Sequence, residues 1–153
     1  MILDLSHLHA VLHRAPPVGP GWNAAELEGL LPDAPLREAA VLVGLVASQA
    51  SPVGFLDPLC TITGFRVLPL VAMVDPEFVP RPDPGEVAEV FEVPLDFLLD
   101  TRNHRYESAF FKGRMRKYWA MPYGERFIWG ATAGMLVTFH RILIPKPVAR
   151  TDF

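Results

Sequence analysis

In "PLREAAVLVGLVASQASPVGFLDPL", Pro35 to Leu59, two strand-like runs stand almost back to back. Ala39 to Ala47 is apolar at nearly every position, which suits a central strand buried on both faces. A second run begins at Val53. Only "SQASP", Ser48 to Pro52, separates them. What should stand in that gap governs the reading of function.

Upstream, Ile2, Leu5, Leu8, Val11 and Leu12 recur at helical spacing and predict an amphipathic first helix. The three prolines of "APPVGPGW" end it by removing backbone donors and fixing φ. Asn23 followed by Glu26 predicts the N-cap of a short helix, "NAAELEGLL", closed by Pro32. Downstream, "FRVLPLVAMV", Phe65 to Val74, reads as a strand, with Pro69 suggesting an edge or a bulge. Asp75 to Glu86 is a proline-rich loop. Val87, Val90 and Val93 break strict alternation, so a bulged or bent strand is expected there. "PLDFLLD" reads as a helical turn or two, and "RYESAFFKGRMRKYWAM" as a hairpin turning near Lys112-Gly113. Phe127, Ala131, Met135, Leu136 and Phe139 predict a long final helix stopped by Pro145. Residues 145–153 then form a loose tail beyond a single domain, 1–144.

The 153 residues suffice for one sizeable core, and half are hydrophobic while a fifth are charged, the balance of a globular chain. A net charge of −3 argues against broad binding to nucleic acid or to an anionic membrane. No apolar run reaches the roughly 18 residues of a membrane span. The single cysteine, Cys60, excludes an internal disulfide framework. With Asp4 and three histidines where a secretory leader would be basic and then apolar, a cytoplasmic location is expected.

Four stretches together carry a resemblance. "PGWNAAELEGLLPDAPLREAAVLVGLVA", "FLDPLCTITGFRVLPLVAMV", "PDPGEVAEVFEVPLDFLLD" and "YWAMPYGERFIWGATAGMLV" resemble Nudix hydrolases of the coenzyme A (CoA) diphosphatase type, from about Pro20 to Leu143. Trp119 interrupts the family's Tyr-Ala-Met wording. The most specific piece is "IWGATAGML". The resemblance implies an α/β (α+β) domain, an α/β/α sandwich with a mixed sheet and a long C-terminal helix. It also implies hydrolysis of the diphosphate of CoA or its derivatives with Mg²⁺ or Mn²⁺. That chemistry rests on the family's Nudix box, G-x5-E-x7-R-E-U-x-E-E-x-G-U, whose glutamates hold the metal that activates water.

The box is not legible here. Arg37, Glu38, Gly44 and Leu45 match its end, but its tandem glutamates fall on Val41 and Leu42, and its glycine and first glutamate on Asn23 and Gly29. Aliphatic groups offer no oxygen to a hard cation. Either Arg37–Leu45 is a decayed box, or it is the family's first core strand and the box is missing at the gap near 47–53. The second reading implies a reduced sandwich with one face partly uncovered and the metal ligands largely absent. A chain of that kind is expected to be inactive, a non-catalytic remnant that binds a nucleotide, a CoA-like small molecule or a protein. Exposed apolar surface would drive it toward a homodimer. A segment encoded by the gene but lacking from this chain would explain the same gap.

The resemblance marks Glu86 as the acidic residue outside the box, a metal ligand or base in the family, where a solvated carboxylate would serve equally. It sets Thr63, Gly64 and Phe65 in the loop near substrate, where an ordinary turn fits as well. Arg114 and Arg116, on one strand face, suit a phosphate, and Tyr123 and Trp129 suit an adenine ring. Each has a plainer reading as a solvated hairpin face or as packing. His9 and His13 have a zinc-compatible spacing without a third ligand. Cys60 has no recognisable activating partner.

Overall fold

The computed structural model describes residues 5–47 and 50–144. The tail at 145–153, Ile2, and the centre of the gap, Ser48 and Gln49, lie outside them. The described residues form two sheets. In the first, β4 (Phe65–Val74) is central. β1 (Arg37–Val46) runs parallel to it in register, Arg37 beside Phe65 through Val46 beside Val74. On its other flank β4 pairs antiparallel with β2 (Ser51–Phe55) and β3 (Leu59–Cys60). In the second sheet, β5 (Arg105–Phe111), β6 (Arg114–Tyr123) and β7 (Arg126–Trp129) form an antiparallel meander.

Pro69 sits in a central strand, not at an edge. Its carbonyl accepts from Leu56 N at 3.0 Å, so its missing N–H faces the same flank. There β2 has ended opposite Leu70 and β3 has not begun until Val67. The proline thus occupies the one interval where no donor is needed.

β1 corrects a second expectation. It was expected to be central, yet among the described residues β4 is its single neighbour. Ala39, Val43 and Leu45 meet the core, while Leu42 and Val46 on the other face are 58% and 57% exposed. The apolar composition of a central strand is present without a second neighbour to cover it.

The β5–β6 turn is Lys112-Gly113, with φ of 46° and 77°. Two left-handed residues give the turn whose twist suits a two-residue hairpin. Three other elements differ from the sequence reading. Residues 87–93 form no strand; Val90 and Phe91 stay exposed, and Glu89 is tied to Arg126 of β7 instead. Arg126–Trp129 is a strand, not the start of the final helix, because pairing with β6 holds it extended. Gly130, at φ 62°, then turns the chain into α3 (Gly130–Leu143). The Asn23 helix is a single 3-10 turn, Ala25–Leu27, uncapped by Asn23, whose side chain is used elsewhere.

The core lies between β4 and the helices. Leu8 and Leu12, from α1 (Leu5–Val11) and just beyond it, meet Val53, Leu56 and Val71, Leu98 of α2 (Leu95–Leu99), and Phe139 and Leu143 of α3. The result is an α/β fold, a mixed sheet with a long C-terminal helix on one face and the other face partly uncovered, consistent with a reduced Nudix-type sandwich. No helix among the described residues is long and apolar enough to cross a membrane.

His140 links α3 to α2. It is 8% exposed and meets His104 edge to face at 4.9 Å between ring centres. Burial lowers its pKa, helped by the positive field of His104 and Arg141, against a hydrogen bond with the Leu99 backbone. The unfolded chain therefore binds a proton at this site more readily than the folded one. Stability contributed here is complete above the ordinary histidine pKa of about 6.5 and is lost as pH falls below it. The melting midpoint is expected to drop on acidification from pH 7 to 5, with a shallower slope in His140→Leu. Parallel slopes for the two proteins would contradict this.

Candidate functional site

A cleft of about 830 Å³ opens between the Trp22–Leu30 segment, the β3–β4 turn, the β5–β6 hairpin and the first turn of α3. Its back wall is built by an unusual strand substitute. Asn23 Nδ2 donates to Cys60 O at 2.9 Å, and Cys60 N donates to Asn23 Oδ1 at 2.7 Å. One side-chain amide thereby pairs β3 as a neighbouring backbone would. Trp22 N donates to Pro58 O at 2.9 Å, and Gly21 lies so close that a Cβ there would stand 2.5 Å from Cys60 N. Gly134 of α3 brings the helix against the Trp22 ring.

The walls are aromatic. Tyr106 and Trp119 lie 4.7 Å apart at a tilt of 34°, and Tyr118 meets Trp129 edge to face at 5.9 Å. All three tryptophans of the chain, Trp22, Trp119 and Trp129, line the cleft. The Tyr118 hydroxyl donates to Glu107 Oε2 at 3.2 Å; burial and that carboxylate raise its pKa, so it stays a neutral donor. Two cations face the same space, Arg116 and Lys117. Arg116 Nε is buried and has no hydrogen-bond partner. A buried donor left unpaired costs about 1–3 kcal/mol, a local cost carried at this position.

The sequence-predicted residues divide plainly. Arg116 and Trp129 line the cleft together. Thr63, Gly64 and Phe65 lie in the turn beside it, whose Thr61 and Ile62 reach the wall. Thr63 Oγ1 bonds Thr61 Oγ1 at 2.8 Å, Gly64 adopts φ 86°, and Phe65 lies under the Arg37 guanidinium at 4.0 Å. Arg114 is exposed at the hairpin tip and Tyr123 packs on Phe97 at 4.9 Å; neither lines the cleft. Glu86 is exposed in the loop before α2, also outside the lining. Its neighbour Glu89 is held by Arg126, whose hydrogen bond lowers the carboxyl pKa. His13 lies beyond the end of α1, so the His9–His13 helical spacing is broken, and it bonds Asp57 Oδ1 at 2.9 Å. Cys60 is buried. Sequence reading missed Trp22, Asn23, Tyr106 and Tyr118. The adjacency of Trp22 and Asn23 after a glycine was the available signal.

These donors do not fit a divalent cation. Among the described residues, no three of His, Cys, Asp and Glu come together. Mg²⁺ and Ca²⁺-like ions need several convergent oxygens, and the nearest acidic candidates are solvated or already paired.

No family model matches the chain. It is 29% identical over 136 residues to proteins described as uncharacterized Nudix hydrolase NudL from Escherichia coli O1:K1, from Escherichia coli O157:H7 strain EC4115 and from Shigella boydii serotype 18. Each match covers 89% of this chain and 71% of the relative. Over most of its length, then, the chain is similar to NudL-type Nudix hydrolases.

Proposed function

We propose that this chain is a reduced, non-catalytic Nudix relative that binds a CoA-like ligand, a planar base carrying phosphates, in the aromatic cleft without cleaving it. The observation that carries this reading is the absence of converging acidic side chains among the described residues, beside a cleft lined by two cations and by aromatic rings. Only residues 47–50 separate β1 from β2, which leaves no room there for a glutamate-bearing loop and helix. Stacking on aromatic walls contributes about 1–3 kcal/mol per base and needs no metal. Arg116 lines the cleft and carries a guanidinium, the group that binds phosphate in a bidentate way.

Because every tryptophan lines the cleft, intrinsic fluorescence reports on it directly. Titration with CoA and with 3′,5′-ADP in the presence of a chelator is expected to give saturable quenching. Arg116→Ala is expected to weaken binding at least about tenfold, the size of one charged hydrogen bond. Quenching that never saturates, or equal affinity in the variant, would overturn the proposal.

A further inference from the structure

We propose that β1 is a homodimer seam, pairing antiparallel with β1 of a second copy about a two-fold axis through Leu42. This inference is independent of what the cleft binds. In β1, the backbone N–H groups of Arg37 and Ala47 both donate toward β4, to Gly64 O and Val74 O. Since backbone direction alternates along a strand, the odd-numbered residues face β4 and the even-numbered ones face away. Glu38, Ala40, Leu42, Gly44 and Val46 thus present their N–H and C=O groups along an edge that no described strand pairs.

Several features select a second copy as the occupant. The edge lacks the devices that blunt natural edges: Ala39 to Val46 holds no charge and no proline. Paired with itself about Leu42, each outward residue meets another outward residue: Leu42 with Leu42, Ala40 with Gly44, Glu38 with Val46. All five then exchange bonds with a partner in the same register. Among the outward-facing residues only Glu38 is charged, and it is already paired with Arg66 at 2.9 Å. On the uncovered face, the exposed Leu42 side chains become cross-strand neighbours, which removes part of the apolar surface from water. A ten-residue strand is about 33 Å long. An edge of that length buries less than the roughly 1,600 Å² of a standard interface, so the dimer is concentration-dependent rather than obligate.

Sedimentation equilibrium of the full chain tests this. The weight-average mass is expected to rise from 17.0 kDa toward twice that value between about 10 µM and about 1 mM. Leu42→Lys and Leu42→Glu alter an exposed side chain and leave the bonds to β4 intact. Each alone is expected to stay monomeric, because like charges fall directly opposite one another. An equimolar mixture of the two is expected to recover the dimer, which only a register pairing position 42 with itself allows. Ala40→Pro removes one outward donor and none used by β4, and is expected to weaken association at least about tenfold. A wild type that remains monomeric, variants that dimerise as wild type does, a mixture that stays monomeric, or growth past the dimer would each overturn the proposal.

Discussion

Phe139→Ala is expected to destabilise the chain by about 3–5 kcal/mol, a large share of the 5–15 kcal/mol that typical domains possess. Phe139 is fully buried on α3 and meets side chains from α1, β2, β4 and α2. Truncation leaves a cavity whose lining is fixed by separate elements, so no single shift can close it, and the cavity cost adds to the lost transfer energy. The same ring removed at Phe127, which is 49% exposed, is expected to cost under about 1 kcal/mol. Urea unfolding of both variants checks this. A loss below about 1 kcal/mol for Phe139→Ala would mean that α3 does not close the core.

Gly21→Ala is expected to cost about 3 kcal/mol and to abolish ligand quenching in the cleft. The added Cβ would lie 2.5 Å from Cys60 N and 2.7 Å from Leu59 C, both backbone atoms of β3. Neither yields as a flexible side chain would. Relief requires the Trp22 segment to move off β3, which breaks the Trp22–Pro58 bond and the paired Asn23–Cys60 bonds that hold the cleft wall. Gly29 provides the contrast. A Cβ there meets nothing within 4 Å, so only the strain of φ 73° remains, about 1–2 kcal/mol. Equal stability of Gly21→Ala and wild type would contradict the close approach.

Elements fixed by local chemistry were legible in the sequence: the Lys112-Gly113 turn, the β4 run and the proline-rich loop each carry their own instruction. Elements fixed by distant partners were not. Arg126–Trp129 has helical spacing yet is a strand because β6 lies beside it. Asn23 has the composition of a cap but serves as a backbone mimic for Cys60, 37 residues away. β1 reads as a central strand because composition records what a strand is built to bury, not which neighbours it has. In the site, Arg116 and Trp129 could be picked out singly from residue type, and the structure sets both on one cleft. Trp22 joins them through the Gly21 contact, its own bond to Pro58 and the Asn23–Cys60 pair, none of which a local pattern announces.

The most direct test of the account is chromatographic detection of 3′,5′-ADP and the phosphopantetheine product formed from CoA by the intact chain with saturating Mn²⁺, with Mg²⁺ in parallel. The account predicts a rate equal to that of the uncatalysed control, while CoA still quenches the tryptophans under the same conditions. Turnover well above the control that Glu86→Gln removes would contradict it, because a metal site would then exist where the side chains supply too few oxygens.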